Sequence, residues 1–218
     1  MVIAIDGPAG AGKSTVARRL AVSLGFTFLN SGSFYRAVAY EALQRNLDIS
    51  SVDEMIHLAK NIDIEYKNAR IILNGKDVED SLRTAEIDLA ASKVSGVVEV
   101  RHAVNDKMKE AVKGMPIVCE GRDMTTVVFP DAECKVYLDA PIDVQVQRRY
   151  DQYAAEGKFV DYEELKQQIA TRDAADKNKA EGSLKIAEDA LYIDTANMNV
   201  DQVCEKITEY LAKCDKNR

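Results

Sequence analysis

Gly7-Pro8-Ala9-Gly10-Ala11-Gly12-Lys13-Ser14 is the densest chemical signal in the chain, a glycine-rich run closing on a lysine and a hydroxyl. It follows an apolar run ending at Ile5-Asp6 and leads into a stretch with Val16, Leu20 and Leu24 on one helical face. Glycines at these spacings let the backbone curl until successive N–H groups point inward. The positive end of the following helix adds to the attraction for a polyanion. Lys13 then reaches a β- or γ-phosphate as a point charge, and the Ser14 hydroxyl suits Mg²⁺. The pattern predicts a phosphate loop for a nucleoside triphosphate with magnesium. Switches, motors and small-molecule kinases share that loop, so it does not choose the reaction.

The remaining polar residues speak to what receives a phosphoryl group. His57 and His102 are distant from the loop in sequence and read as surface or packing residues. A hydroxyl acceptor benefits from a general base. A phosphate acceptor is already ionised near neutral pH and needs cations that hold two polyanions in line. Arginines follow successive strand-like runs at Arg36, Arg122, and Arg148 with Arg149, and Arg172 lies on a later helix. Planar guanidinium groups suit bidentate phosphate contacts. Leu165, Ile169, Arg172, Asp176 and Lys179 share one helical face that starts apolar and turns ionic. Either that ionic end reaches a ligand, or Arg172 and Asp176 form an exposed pair of about 0.3 kcal/mol. A guanine-reading Asn-Lys-x-Asp is not matched: Asn74-Gly75-Lys76-Asp77 has the wrong order and sits in a hairpin pattern. Glu120, after Pro116-Ile-Val-Cys119, is a short version of a motor's second-strand acid.

The elements that must position these residues alternate. Val2-Ile-Ala-Ile5, Phe26-Thr-Phe-Leu29, Ile117-Val-Cys119, Lys135-Val-Tyr-Leu138 and Leu191-Tyr-Ile193 are short, β-branched or aromatic, and suit strands covered on both faces. Helical patterns lie between them, weakly at Val38, Ala42 and Arg45 and clearly at Val203, Ile207, Tyr210 and Leu211. This alternation predicts a parallel sheet with right-handed crossovers. Each strand ends in a polar pair: Asp6-Gly7, Asn30-Ser31, Glu120-Gly121, Asp139-Ala140 and Asp194-Thr195. Such residues either line a ligand crevice or serve turn chemistry. One segment breaks the rhythm. Ile62-Asp-Ile-Glu-Tyr66, Arg70-Ile-Ile-Leu73 and Lys76-Asp-Val78, with Asn74-Gly75 between the last two, predict an antiparallel meander. Helical patterns from about Thr84 to Val112 follow it. Residues from about 48 to 100 read as an inserted subdomain, too long for a simple crossover.

The chain has 218 residues, 29 Lys+Arg against 36 Asp+Glu, a net charge of −7 and 46% hydrophobic positions. It can bury a sizeable core and is unlike a disordered chain. With an isoelectric point near 5.0 it carries no overall basic footprint for nucleic acid. No apolar stretch approaches the roughly 18 residues that span a bilayer, and Met1-Val-Ile-Ala-Ile-Asp6 does not resemble a signal peptide. Cys119, Cys134, Cys204 and Cys214 lack CxxC spacing and read as free buried thiols of a reducing compartment. The expectation is a soluble, cytoplasmic monomer.

Longer motifs carry a resemblance. Ile5-Asp-Gly-Pro-Ala-Gly-Ala-Gly-Lys-Ser-Thr15, Asn30-Ser-Gly-Ser-Phe-Tyr-Arg36, Ser81-Leu-Arg-Thr-Ala-Glu86, Glu120-Gly-Arg-Asp-Met-Thr-Thr-Val-Val-Phe-Pro130 and Arg172-Asp-Ala-Ala-Asp-Lys-Asn-Lys179 together resemble bacterial cytidylate kinases, nearly end to end. The resemblance implies an α/β P-loop kinase fold in one domain. Its five-stranded parallel sheet would be flanked by helices, with a core of about 1–47 and 101–218. The insertion of about 48–100 becomes an NMP-binding subdomain, and about 148–160 a short lid. It implies transfer of the γ-phosphate of ATP to CMP or dCMP with Mg²⁺, held in line by cations and without a general base.

Carried over by position, Gly7, Pro8, Ala9, Gly10, Ala11, Gly12, Lys13, Ser14 and Thr15 would wrap the ATP phosphates, with Ser14 toward the metal. Ser31 and Arg36 would hold the phosphate end of CMP, and Ser92, Arg101 and Asp123 would read cytosine. Arg122, Arg172 and Lys179 match phosphate contacts, Asp176 with Arg172 a sugar contact, and Arg148 with Arg149 a lid role on the ATP side. Lys13, Arg122 and Arg172 would be catalytic. The chain departs from the family with Asn30 and Glu120 in place of Asp, Ser33-Phe34 in place of a small-plus-aliphatic pair, and Lys179 in place of Arg. Two rivals remain at this level: a kinase of the same fold for UMP or a small hydroxylated metabolite, and a nucleotide-dependent switch.

Overall fold

The computed structural model describes residues 1–216. In chain order the elements are β1 (Val2–Asp6), α1 (Lys13–Leu24), β2 (Thr27–Asn30), α2 (Ser31–Gln44), α3 (Val52–Asn61), β3 (Ile64–Lys67), β4 (Arg70–Leu73), β5 (Lys76–Asp77), α4 (Ala85–Val94), α5 (Val98–Ala111), β6 (Ile117–Gly121), β7 (Cys134–Asp139), α6 (Ile142–Ala155), α7 (Tyr162–Lys177), β8 (Leu191–Asp194) and α8 (Val200–Lys216). Contacts divide them into two compact units, residues Met1–Phe28 with Pro116–Arg218, and Leu29–Met115.

The first unit is organised by β1. Its Ile3, Ala4 and Ile5 are fully buried, as expected of a strand covered on both faces. The strand takes the middle of a five-stranded parallel sheet ordered β2-β6-β1-β7-β8. Register aligns Asp6 with Gly121 on β6 and with Tyr137 on β7. The loops after these strands therefore leave from one edge, where open α/β sheets bind ligands. Helix α1 packs on β6 and α8, and α8 buries Val203, Ile207 and Leu211. Gly25 ends α1 at φ 67° and donates its N–H to the Ala21 and Val22 carbonyls, a left-handed C-cap that a glycine adopts without strain. Helices α6 and α7 meet around Val146, Leu165 and Ile169, with Ile142, Tyr153, Tyr162 and Ala9 packed against them.

The second unit joins a three-stranded antiparallel sheet, β3-β4-β5, to helices α2 to α5. Asn74 and Gly75 both take positive φ, 49° and 79°, the conformation of a tight hairpin whose twist matches its strands. Ser51 and Thr84 accept N–H groups of Glu54 and Ile87 and so start α3 and α4. The core holds Phe34, Met55, Ile62, Ile71, Leu82 and Met108. The compact unit is wider than residues 48–100, because α2 packs on α4 and α5 packs on α3. Along α2 the apolar face keeps Val38 and Ala42, but Arg45 lies past the helix end and pairs with Glu41.

Of the four cysteines, Cys119 and Cys134 are buried, Cys204 and Cys214 are half-buried, and all are free thiols. Among the described residues no helix is long and apolar enough to cross a membrane. Phe34 has no exposed surface and lies 5.6 Å from the Tyr66 ring, centroid to centroid. Phe34→Ala is expected to cost about 3–5 kcal/mol through lost transfer energy and an unfilled cavity. Urea unfolding of the two chains measures that difference, and a loss under about 1 kcal/mol would contradict the packing described.

Candidate active site

The phosphate loop spans the end of β1 and the start of α1, and its path demands glycine. At Gly7, with φ 149°, a Cβ would sit 2.0 Å from the Leu138 carbonyl oxygen. At Gly10, with φ 73°, it would lie 2.8 Å from Gln145 Cβ. Side chains hold the loop's own backbone. Lys13 Nζ donates to the Pro8 carbonyl at 2.5 Å, Thr195 Oγ1 to the Ala11 carbonyl at 3.2 Å, and Ala9 N–H to Asp173 Oδ1 at 3.0 Å. Arg148 donates to Gly10 O at 3.4 Å, Thr195 Oγ1 at 2.9 Å and Thr195 O at 2.6 Å. In this conformation Arg148 supports the loop from behind. Arg149, next to it on α6, lies over the Tyr153 ring at 4.7 Å and donates to Gln152 and the Tyr153 hydroxyl. The stretch 148–160 is helical as far as Ala155 and then turns.

Ser14 Oγ donates to Glu120 Oε1 at 2.8 Å. The two hard oxygens beside Lys13 form the kind of partial donor set that Mg²⁺ uses when phosphates and water supply the rest. Glu120 is thus long enough to reach this hydroxyl.

Positive charge is concentrated here. Lys13 is 5% exposed, and its ammonium is pushed down to about 7, first by burial and then by the Arg122 guanidinium. Burial also works against the Arg122 charge, but Asp176, Glu120 and Asp173 outweigh it and raise its pKa. Arg122 Nε donates to Asp176 Oδ2 at 2.8 Å, and Lys179 Nζ to Asp176 Oδ1 at 2.8 Å. Burial opposes ionisation of Asp176, yet Arg122 and Lys179 hold its carboxyl below the usual range. The α7 stripe thus needs correcting. Leu165 and Ile169 are buried as expected, but the buried polar positions are Asp173 and Asp176, with Arg172 exposed beside them. Asp176 is bound to Arg122 and Lys179. Lys179 lies beyond the helix end.

In the second unit, Ser31 opens α2 and is buried, and Arg36 one turn on donates through Nε to Asp88 Oδ1 at 2.7 Å. A Cβ on Gly32 would lie 2.7 Å from Arg36 Nη1, so the guanidinium rests over that glycine. Arg101 is 3% exposed, lies over the Tyr35 ring at 5.5 Å and donates to the Ser95 carbonyl at 3.1 Å. Ser95 Oγ in turn donates to the Ser92 carbonyl at 2.9 Å, so the α4–α5 turn ties Ser92 to Arg101. Ser33 donates to the buried Glu79 at 3.2 Å.

Comparison with known proteins decides the family. The model of the cytidylate kinase family matches residues 3–213. The cytidylate kinase of Caldanaerobacter subterraneus subsp. tengcongensis is 38% identical over 214 residues, covering 98% of this chain and 96% of that protein. Those of Vibrio cholerae and Borreliella burgdorferi are 39% and 40% identical and cover 96% of this chain, which spans 95% and 96% of their lengths. The chain belongs to the cytidylate kinase family. Among solved structures, a shikimate kinase from Bacteroides thetaiotaomicron superposes with a TM-score of 0.51 at 12% identity, over 97% of this chain and 98% of the other. That likeness extends to the fold alone.

Within a cytidylate kinase chain the strand-end acids now separate by role. Asp139 and Asp194 accept from Ala140 N–H and Ala196 N–H, at 2.9 and 2.8 Å, which is turn chemistry. Glu120 meets Ser14, and Asp6 does something the spacing gave no sign of. Its carboxylate accepts from Met124 N–H at 2.8 Å and from Thr125 N–H and Oγ1 at 2.7 and 2.6 Å. It thereby fixes the single π-helical turn that follows Arg122 and the buried Asp123. Asp173 and Thr195 are further residues of the site that spacing does not distinguish from their neighbours. Asp173, four residues after Ile169, fits the face as well as Arg172 does, and Thr195 is marked only by its place after a strand.

Burial pushes the Asp6 carboxyl up to about 6 from 3.8, against the pull of its bonds to Thr125 and Met124. A folded-state value above the unfolded one means folding favours the protonated form. The stabilising contribution is complete below about pH 4 and lost as pH rises through about 6. Relative to Asp6→Asn, which has no proton to lose, the parent chain is expected to lose about 2 kcal/mol of unfolding free energy between pH 4 and 7. Denaturant titrations at stepped pH measure it, and parallel curves for the two chains would refute it.

Proposed function

We infer that the chain transfers the γ-phosphate of ATP to CMP or dCMP, releasing ADP and CDP or dCDP. The observation that carries this is the crowding of the buried Lys13 and the half-buried Arg122, two cations that repel each other. Polyanions placed between them relieve that repulsion. An oxygen of the acceptor phosphate attacks the γ-phosphorus in line, and the bond to the β-phosphate oxygen breaks as the new one forms. Lys13, Arg122 and Arg172 balance the charge on the moving group. The acceptor oxygen carries no proton to remove, so no histidine or carboxylate need act as base.

Ser14, directly or with Glu120 behind it, would hold Mg²⁺, which when bound would neutralise part of the phosphate charge. Ser31, Arg36, Arg122 and Lys179 bind the acceptor phosphate, and Asp176 with Arg172 the sugar. Ser92, Arg101 and Asp123 read the cytosine edge. A carboxylate accepts from its exocyclic amino group, which uracil lacks, leaving Asp123 unmatched against UMP. Arg149 serves the donor side from the 148–160 lid, while Arg148 acts through the loop backbone. The NMP-binding part lies within Leu29–Met115.

A panel of acceptors tests the function directly. With ATP and Mg²⁺, coupled ADP release is expected to be stimulated most by CMP and dCMP, weakly by UMP, and not by hydroxylated metabolites. A rate indifferent to CMP would end the proposal. Arg122→Ala is expected to lower kcat with CMP by about a hundredfold or more, the scale of losing one preorganised transition-state partner. Its KM for ATP should stay within about threefold, since that interaction matters most at the transferring group. Unchanged turnover would remove Arg122 from catalysis.

A further inference from the structure

Asp173 is a carboxylate 7% exposed on α7, and it accepts the Ala9 N–H of the phosphate loop across 164 residues of chain. Ala9 also packs against the Val146–Leu165–Ile169 cluster, two of whose members lie on the same helix. Helix α7 is therefore fastened to the loop twice, by apolar contact and by a hydrogen bond. One turn further along the same buried face, Asp176 holds Arg122 and Lys179. Residues three apart on a helix are neighbours, so two adjacent carboxylates join the donor loop to the acceptor cations through one rigid element.

We propose that Asp173 is a positioning residue that sets the register of α7 against the phosphate loop. It thereby fixes the separation between the ATP phosphates and Arg172, Arg122 and Lys179. The inference rests on assigning those cations to the acceptor and the transferring group. A carboxylate suits the task, because a charge-assisted bond to a backbone N–H is short and strong, and a buried acceptor makes slippage costly. In-line transfer is sensitive to displacements of about 1 Å, so the register governs turnover more than binding. The competing role is that of a stand-in, with Asp173 occupying a loop N–H that ATP would otherwise take.

The test is steady-state kinetics of Asp173→Ala, Asp173→Asn and Asp173→Glu in the full chain, with ATP, Mg²⁺ and CMP. Asp173→Ala is expected to lose about tenfold in kcat, the scale of one such hydrogen bond, with a smaller change in the KM for ATP. Asp173→Asn keeps an oxygen at the same reach and should recover most of that loss. Asp173→Glu keeps the charge but moves the oxygen by one methylene and should not. If Asp173→Ala does not fold, the order of Asn above Glu carries the test. Unchanged kcat in Asp173→Ala, a lowered KM for ATP, or Glu matching or exceeding Asn would each overturn the proposal. Arg172→Ala is the control: if it turns over CMP at the parent rate, the assignment of the α7 cation fails. If it is impaired while Asp173→Ala is not, only the register role fails.

Discussion

The structure depends on keeping positive charge out of water. Lys13 is buried with Arg122 near enough to disfavour its charge. Such an arrangement is unfavourable unless carboxylates offset it, and Glu120, Asp173 and Asp176 do so. The offset is partial for Lys13, whose ammonium is pushed down to about 7, and more than complete for Arg122. An excess of cation strain on one side of the loop is what a triphosphate can relieve. The same carboxylates are hydrogen-bonded to Ser14, to the loop backbone and to Arg122, so the electrostatic balance and the geometry have the same source.

That balance constrains the scaffold. The loop can reach its cations only by passing so near β7 and α6 that a Cβ at Gly7 or Gly10 would clash. Parallel pairing of β1 with β6 and β7 brings Asp6 level with Gly121 and Tyr137. Asp6 can then seize the turn after Arg122, at the cost of a carboxyl whose ionisation burial opposes. Acids at strand ends do different work according to their depth in the sheet: the central ones hold site loops, and Asp139 and Asp194 cap their own turns.

Much of the fold was legible in residue order. The five strands and the meander were readable because buried parallel strands are continuous apolar runs and Asn-Gly turns have few alternatives. The phosphate loop was readable because only glycine tolerates its path. Less legible were residues whose partners lie more than a hundred positions away. Asp173 follows Ile169 by four residues and Arg172 follows it by three, so both fit the face set by Leu165 and Ile169, and helical spacing has no means of telling Arg172 from Asp173 as the buried one. Arg148 reads as a free lid cation until Thr195 and Gly10 are found to hold it.

By itself, then, the order of amino acids determined the phosphate loop, the alternation of strands and helices, the inserted hairpin and the family, since these rest on local backbone preference, periodicity and contiguous motifs. Which carboxylate faces which cation was decided only in three dimensions. Burial and hydrogen bonding of Asp6, Asp173 and Asp176 come from the parallel sheet and from the packing of α7 on the loop. Ion pairing in a low-dielectric interior depends on distances that no spacing along the chain encodes.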